Sequence, residues 1–65
     1  MRSDTLRRNR HRAGYTQEEL AQDAGVGIAT IARIETGEIE EPGVSTLRKL
    51  AKALDLDTRE LLAED

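Results

Sequence analysis

The sequence predicts an all-α protein, with five short helices in one domain that spans residues 1–65. Apolar residues recur three, four and seven positions apart, which is the spacing of a helix face. Helix-start and helix-stop residues divide the chain into short segments. Tyr15 is the only aromatic residue and Phe and Trp are absent, so Leu, Ile, Val and Ala must build the core. Such side chains suit short helices that pack closely.

The first helix is expected at about residues 3–13. A polar start with an acidic residue is typical of a helix N-terminus and is found at Ser3, Asp4 and Thr5. A stripe with the spacing i, i+4, i+7 contains Leu6, Arg10 and Ala13. Gly14 follows and can adopt the left-handed conformation that ends a helix.

The second helix has the best-defined start in the chain. Thr16 and Glu19 have the spacing of a capping box, in which each side chain bonds the other residue's backbone N–H. Tyr15 and Leu20 are placed to form the hydrophobic staple that accompanies such a box. Gly25 is expected to end this helix after about eight residues.

The third helix is expected from Ile28 to about Thr36, with its end at Gly37. Val26 and Gly27 form the turn that precedes it. Small residues occur on both helices beside this turn, at Ala21, Ala24, Ala29 and Ala32. Small residues let two helices approach each other closely, and a tight turn joins these two. This pattern predicts a helix-turn-helix unit.

Two further helices follow a loop at residues 38–43. Ser45 is the expected N-cap of the fourth helix, whose apolar face comprises Leu47, Leu50, Ala51 and Leu54. Asp57 and Glu60 have the spacing of a second capping box. It predicts a last helix at about 58–63, which contributes Leu61 and Leu62.

The composition argues against an enzyme and against a metal or cofactor site. The chain has no Cys and a single His, His11, so it lacks a set of metal ligands. No nucleophile–base pair and no phosphate-cradling loop is present. No apolar run approaches the roughly 20 residues of a membrane span, and no signal peptide is found. We therefore expect a soluble, cytoplasmic protein that does not enter membranes.

Charge is distributed unevenly along the chain. The net charge is −3, yet residues 1–12 contain five arginines and one aspartate and carry +4. The other residues, 13–65, carry −7. The arginine cluster is interpreted either as a solvated helix face or as a patch that faces phosphates.

The chain resembles the phage-repressor and Cro-like helix-turn-helix family, also called the xenobiotic-response-element type. The matching segments, in order, are Thr16-Gln17-Glu18-Glu19-Leu20-Ala21, Gly25-Val26, Ile34-Glu35-Thr36-Gly37 and Leu50-Ala51-Lys52-Ala53-Leu54. The resemblance covers about residues 3–62. It implies a compact, lambda-repressor-like domain of five helices that binds double-stranded operator DNA, usually as a homodimer. It also implies that the third helix, about residues 28–36, lies in the major groove.

The DNA-binding residues that follow from this docking lie at the starts of the second and third helices and along the third. They are Thr16, Gln17, Gly27, Ile28, Ala29, Ala32, Arg33 and Thr36. Gln17 is expected to be the first residue of its helix, where a backbone N–H and the side-chain amide can reach a phosphate. The alternative for Gln17 is an ordinary exposed polar residue at a helix start.

Arg33 and Ile28 each have two interpretations. Arg33 is the only long hydrogen-bond donor near the start of the third helix and suits the O6 and N7 atoms of guanine. Alternatively, it is a solvent-exposed or intradomain salt-bridge residue. Ile28 either contacts a thymine methyl group or belongs to the core with Ile31 and Ile34.

The resemblance also implies a partly buried ion pair between Arg10 and Glu35, which would orient the helix-turn-helix unit against the first helix. Arg10 lies on the apolar stripe of its helix, which favours this pair. The alternative is two independent surface charges.

The resemblance and the residues together predict a sequence-specific DNA-binding transcriptional regulator. The alternative function is a protein-interaction module or the antitoxin component of a toxin pair, with weak DNA binding or none. The acidic loop at Glu38-Ile39-Glu40-Glu41 and the apolar start of the third helix favour this alternative. A dimer surface is expected near the apolar residues Ile39, Val44, Leu61 and Leu62.

Overall fold

The computed structural model describes residues 3–62, which form five α-helices and no strand. The helices are α1 (Ser3–Ala13), α2 (Gln17–Ala24), α3 (Ile28–Thr36), α4 (Val44–Ala53) and α5 (Thr58–Leu62). The predicted all-α class is confirmed. Arg2, which belongs to the arginine cluster, and residue 63, the expected end of the last helix, lie outside the described residues.

The start and end of α2 follow the sequence prediction. Thr16 Oγ1 accepts a hydrogen bond from Glu19 N at 3.0 Å, and Glu19 Oε1 accepts one from Thr16 N at 2.9 Å. This reciprocal pair is the expected capping box. Gly25 ends the helix with φ of +74°, a conformation that costs glycine little because it has no Cβ. The tight turn to α3 depends on this residue.

The N-terminus of α4 differs from the prediction. Gly43, not Ser45, is the N-cap, with φ −62° and ψ 156° and no side-chain cap. The Gly43 carbonyl accepts the first helical hydrogen bond, from Leu47 N at 3.0 Å. Glycine serves as an N-cap at a cost of only a few tenths of a kcal/mol relative to serine. Ser45 is therefore an exposed residue inside the first turn of α4.

At the start of α5, one of the two hydrogen bonds of the predicted capping box forms. Glu60 Oε2 accepts a hydrogen bond from Asp57 N at 2.8 Å. The Asp57 carboxylate, however, accepts from Arg59 N at 2.9 Å instead of from Glu60 N. Glu60 N donates instead to the Asp57 backbone carbonyl at 2.9 Å.

The core is aliphatic and lies between all five helices. It contains Leu6, Leu20, Ala21, Ile31, Ile34, Leu47, Leu50, Ala51, Leu54 and Leu61. The predicted apolar face of α4 is completely buried. Ala13 does not follow its predicted stripe: it is exposed, as the last residue of α1 beside the exposed Gly14. Leu62 is also exposed, whereas Leu61 fills the core.

Helix packing leaves one side of α3 exposed. α3 packs against α1 and α2, while α2 also packs against α4, and α4 against α5. Ile31, Ile34 and Glu35 are the buried residues of α3. None of the helices in residues 3–62 is long and apolar enough to cross a bilayer.

Candidate nucleic-acid interface

A buried ion pair joins α1 to α3. Arg10 Nε donates to Glu35 Oε2 at 2.7 Å, and Nη2 donates to Glu35 Oε1 at 3.0 Å. Arg10 Nη1 donates to the Tyr15 carbonyl at 2.9 Å. Arg10 is 7% exposed and Glu35 8% exposed. A bidentate, charge-assisted pair with little freedom to move fixes the orientation of α3 against α1.

The surroundings of this pair keep both groups charged. Burial raises the pKa of Glu35, whereas hydrogen bonds from Arg10 and Gln17 lower it. The positive charges of Arg10 and Arg7 act in the same direction, so the pKa of Glu35 lies below its usual value. The hydrogen bond to Glu35 raises the pKa of Arg10. The carboxylate and the guanidinium are therefore both ionised at neutral pH.

Gln17 extends this network to the N-terminus of α2. Its Nε2 atom donates to Glu35 Oε1 at 3.0 Å, and the residue is half-buried. The interpretation of Gln17 as an ordinary exposed polar residue is therefore wrong. A side-chain amide has two N–H groups and one oxygen, so the contact with Glu35 leaves donor capacity beside the first turn of α2.

The exposed side of α3 carries most of the other predicted site residues. Ile28 is 46% exposed, so the interpretation of Ile28 as a core residue is wrong. Gly27, Ala29 and Arg33 are exposed as well, and Ala32 is half-buried. With Ile28, these residues form one surface, which we call the α3 face: Gly27, Ile28, Ala29, Ala32 and Arg33.

Two predicted site residues with hydroxyl groups lie at helix ends. Thr16 is exposed, and its Oγ1 atom caps α2. Thr36 is exposed at the end of α3, and its Oγ1 atom donates to the Arg33 carbonyl at 3.2 Å. Both hydroxyls therefore serve local helix geometry in the free chain.

Arg33 forms an ion pair within the domain, as one of its two interpretations expected, but its partner was not predicted from the sequence. Its Nε atom lies 3.0 Å from Glu38 Oε2. The side chains are 58% and 66% exposed. Arg33 is thus both solvent-exposed and paired within the domain. A possible signal was the short separation of an arginine and a glutamate across the helix-ending Gly37.

The arginine cluster of α1 divides into differently placed side chains. Arg7 is exposed and lies close enough to Glu35 for its charge to lower the pKa of that carboxyl. Arg8 instead pairs with Asp4, with Nε 3.8 Å from Oδ2. Arg7 therefore adds positive charge beside Gln17 and the buried pair.

The residues expected at a dimer surface are not equally accessible. Val44 and Leu62 are exposed, whereas Leu61 is buried in the core. Ile39 is half-buried and packs against the core. The expectation of Leu61 as a surface residue is wrong, because its side chain fills the core between α5 and α4.

The N-terminus of α2 can accommodate an anionic ligand. Residues 3–62 contain no group of three His, Cys, Asp or Glu residues that could hold a metal ion. The N-terminus of α2 presents backbone N–H groups beside Gln17, and such groups favour phosphate.

Comparison with known sequences and structures gives a consistent result. The sequence pattern of a family described as helix-turn-helix matches residues 6–61. The HTH-type transcriptional regulator SlrR of Bacillus subtilis is 34% identical over 56 residues, which are 86% of this chain and 37% of SlrR. The chain thus spans well under half the length of that relative.

Two solved structures share the fold over nearly the whole chain. A crystal structure of SinR from Bacillus subtilis, in complex with DNA, superposes with a TM-score of 0.92 at 30% identity. It covers 97% of this chain and 100% of the SinR chain, and SinR is described as the master regulator for biofilm formation. The restriction-modification controller protein C.AhdI from Aeromonas hydrophila gives a TM-score of 0.84 at 34% identity. That match covers 91% of this chain and 88% of C.AhdI.

Proposed function

The chain belongs to the helix-turn-helix family whose pattern matches residues 6–61, and we propose that it is the sequence-specific DNA-binding domain of a transcriptional regulator. The observation that carries this proposal is the exposed α3 face on a helix whose other side is fixed by the core and by Arg10 and Glu35. The major groove of B-DNA, about 12 Å wide, admits an α-helix. A helix that enters it needs a free face and a fixed orientation, and α3 has both.

In this docking Arg33 recognises a guanine and Ile28 contacts a thymine methyl group. Gly27, Ala29 and Ala32 have no long side chain, so the backbone of α3 can approach the base edges closely. Arg33 is the one side chain of the α3 face with a fork of N–H donors, and base specificity depends on it most.

Phosphate contacts position the domain on either side of this helix. Gln17 and Thr16 approach one phosphate at the N-terminus of α2, where the helix dipole attracts an anion. Thr36 approaches the backbone at the other end of α3. These contacts set register and orientation but carry no sequence information.

The domain acts as a homodimer on two half-sites. One small domain buries little surface on DNA, and two α3 helices about 34 Å apart would read successive major grooves on one side of the duplex. Val44 and Leu62 are exposed apolar residues that can contribute to self-association. Native mass spectrometry of the chain, alone and with duplex, measures this stoichiometry.

A second candidate function is a protein-interaction module, including the antitoxin of a toxin pair. The exposed Ile28 at the start of α3 favours it. The acidic residues Glu38, Glu40 and Glu41 after the end of α3 favour it as well, because these carboxylates repel a phosphate backbone. A protein partner would use the α3 face through apolar contact. Such a module would bind duplex DNA weakly or not at all.

The test begins with selection of a binding site from a random duplex pool, followed by fluorescence-anisotropy titrations. Ala29→Glu and Lys52→Gln each change the net charge by −1. Ala29 lies on the α3 face, whereas Lys52 is exposed at the end of α4, which packs on α2 and α5. A carboxylate placed among DNA acceptors should reduce affinity more than about tenfold. Lys52→Gln should change it less than about threefold, because salt screens distant charges.

Equal effects of the two substitutions would contradict the docking of α3. If the unsubstituted chain binds no duplex above background even at low salt, the protein-interaction function is favoured instead. Circular dichroism of both variants checks that each remains folded.

A further inference from the structure

The turn that ends α3 contains one residue more than the turns that end three other helices. Gly14, Gly25 and Asp55 have positive φ at the ends of α1, α2 and α4. The residue after each of them donates its N–H to the carbonyl five positions earlier. These bonds are Tyr15 N to Arg10 O at 3.0 Å, Val26 N to Ala21 O at 3.1 Å and Leu56 N to Ala51 O at 2.8 Å. After α3, Ile39 N donates to Arg33 O at 3.1 Å, six positions back. Glu38 is the additional residue.

This turn places the Glu38 carboxylate beside Arg33. The bond from Ile39 to the Arg33 carbonyl brings the turn back over the end of α3, and Thr36 Oγ1 donates to the same carbonyl at 3.2 Å. The Glu38 Oε2 atom lies 3.0 Å from Arg33 Nε. Within residues 3–62, Arg33 has no second acidic partner among the ion pairs, so Glu38 alone directs the guanidinium.

The Glu38 carboxylate lies nearest to Nε, the nitrogen of Arg33 that guanine recognition does not require. A guanidinium has five N–H donors in a rigid planar fork. The contact at Nε leaves the two terminal nitrogens, Nη1 and Nη2, at the end of the side chain. A pair of parallel N–H groups is what the O6 and N7 acceptors of guanine accept. A carboxylate at Nε therefore holds the side chain without competing for these nitrogens.

We propose that Glu38 is a positioning residue for base recognition: it holds Arg33 through Nε so that the terminal nitrogens are oriented toward one guanine. This inference rests on the proposed function, in which Arg33 recognises a base. Glu38 therefore has a different role from Glu40 and Glu41, although all three lie in one acidic loop. Glu40 and Glu41 act on DNA only through charge repulsion, whereas Glu38 also decides which base pair is preferred.

Opposite effects on affinity and specificity follow from this role. The negative charge of Glu38 lowers affinity for every duplex, because it repels phosphates. Its contact with Arg33 raises the preference for the cognate base pair, because less side-chain freedom is lost on binding. Loss of the Glu38 charge therefore strengthens overall binding and weakens discrimination, a combination that charge repulsion alone does not produce.

The test compares Glu38→Gln with Glu41→Gln, two isosteric substitutions that remove one negative charge from the same exposed loop. The chain is titrated with a selected duplex and with duplexes that carry single-base substitutions at the position Arg33 recognises. Arg33→Ala identifies that position, and Arg33→Ala/Glu38→Gln tests whether Glu38 acts through Arg33. Thermal unfolding followed by circular dichroism checks that each variant is folded.

Both glutamine variants are expected to bind all duplexes more tightly. Glu41→Gln should leave the ratio of cognate to substituted affinity unchanged. Glu38→Gln should reduce that ratio by about two- to fivefold, which corresponds to the free energy that an exposed ion pair contributes. In the Arg33→Ala background, Glu38→Gln should have no effect on the ratio.

Identical ratios for Glu38→Gln and Glu41→Gln would overturn the inference. A higher ratio for Glu38→Gln would also overturn it, because Glu38 would then compete with DNA for Arg33. In either case the proposed function stands if Arg33→Ala still lowers discrimination. If Arg33→Ala leaves discrimination unchanged, or if the unsubstituted chain binds no duplex, the role of Arg33 fails together with that of Glu38.

Discussion

Two arginine–glutamate pairs involve α3, and they differ in almost every property except their chemistry. Arg10 and Glu35 are 7% and 8% exposed and form two hydrogen bonds. Arg33 and Glu38 have side chains that are 58% and 66% exposed, and a single contact joins them at 3.0 Å. The first pair joins residues 25 positions apart in the sequence, and the second joins two ends of one turn.

The difference shows that burial, and not residue type, decides what such a pair does. Removal of one partner from a buried pair leaves an uncompensated charge, whereas exposed pairs contribute about 0–1 kcal/mol. The Arg10–Glu35 pair therefore stabilises the fold, and the Arg33–Glu38 pair remains accessible to a ligand. One helix carries a buried pair on its inner side and, on its outer side, an exposed pair for which we propose a role in recognition.

The largest expected effect is the loss of stability in Arg10→Met. Removal of this guanidinium should cost roughly 3–5 kcal/mol, and a domain of this size has only about 3–5 kcal/mol in total. Arg10→Met should therefore be largely unfolded at 37 °C. Arg33→Met, the matched substitution in the exposed pair, should change the free energy of unfolding by less than about 1 kcal/mol. Urea unfolding followed by circular dichroism measures both.

A double-mutant cycle gives the sharper form of this comparison. The coupling free energy between Arg10→Met and Glu35→Gln should be several times that between Arg33→Met and Glu38→Gln. An additive cycle with sub-kcal terms for Arg10 and Glu35 would show that the two residues do not depend on each other.

The second effect is a loss of stability in acid that follows from the lowered pKa of Glu35. The pKa of Glu35 is lowered in the folded domain, whereas the pKa of a glutamate in an unfolded chain is about 4.3. The stabilisation is therefore fully present above about pH 4.3 and is lost as pH falls through the lower folded pKa. The Asp57 pKa is also lowered, chiefly by the hydrogen bond from the Arg59 backbone, so part of the acid response does not depend on Glu35.

Thermal unfolding of the chain between pH 7 and pH 3 measures this response. Glu35→Gln should lower the free energy of unfolding at pH 7 and flatten its decline below pH 5. A Glu35→Gln variant with an undiminished acid response would assign the effect to other carboxylates.

The third effect concerns DNA affinity and two other carboxylates of the acidic loop, those of Glu40 and Glu41. Glu40→Gln/Glu41→Gln should strengthen binding to random duplex by about two- to tenfold at low salt and steepen its salt dependence. The preference for a selected site should remain constant, because these residues contact no base. Titrations at several salt concentrations test this. Unchanged affinity at low salt would place the loop away from the phosphates.

The smallest effect is at Thr5, which is buried in α1. Arg10 and Glu35 satisfy each other, whereas Thr5 Oγ1 is a buried polar atom without a hydrogen-bond partner in the described chain. Thr5→Val keeps the shape of the side chain and removes this hydroxyl. It should raise the free energy of unfolding by up to about 1 kcal/mol. A loss of more than that amount would reveal a partner for the hydroxyl.

Local signals in the sequence were sufficient for most of the fold. The capping box of Thr16 and Glu19, and the periodic face of α4, each depend on neighbours within a few positions. The N-cap of α4 was predicted wrongly at Ser45, because glycine competes closely with serine there and propensity does not separate them. The exposure of Ala13 and the burial of Leu61 were not predictable either, since both depend on where neighbouring helices end.

The candidate site divides in the same way. The resemblance implied the pairing of Arg10 with Glu35, and the exposed positions of Arg33 and Ala29 follow from helical periodicity once Ile31 and Ile34 face the core. The contact between Gln17 and Glu35 was not predicted, because it requires the packing angle between α2 and α3. The contact between Arg33 and Glu38 was missed as well, since it depends on one additional residue in a turn.

The most direct test of the division between the two pairs is Arg33→Ala, measured for stability and for DNA binding in the same preparation. Urea unfolding should change by less than about 1 kcal/mol. Binding to the selected duplex should weaken by about 1–3 kcal/mol per half-site, with preference relaxed at one base pair only. An equal loss on every duplex would make Arg33 a phosphate contact. A folded variant that binds its selected site unchanged would contradict the assignment of the exposed pair to DNA recognition.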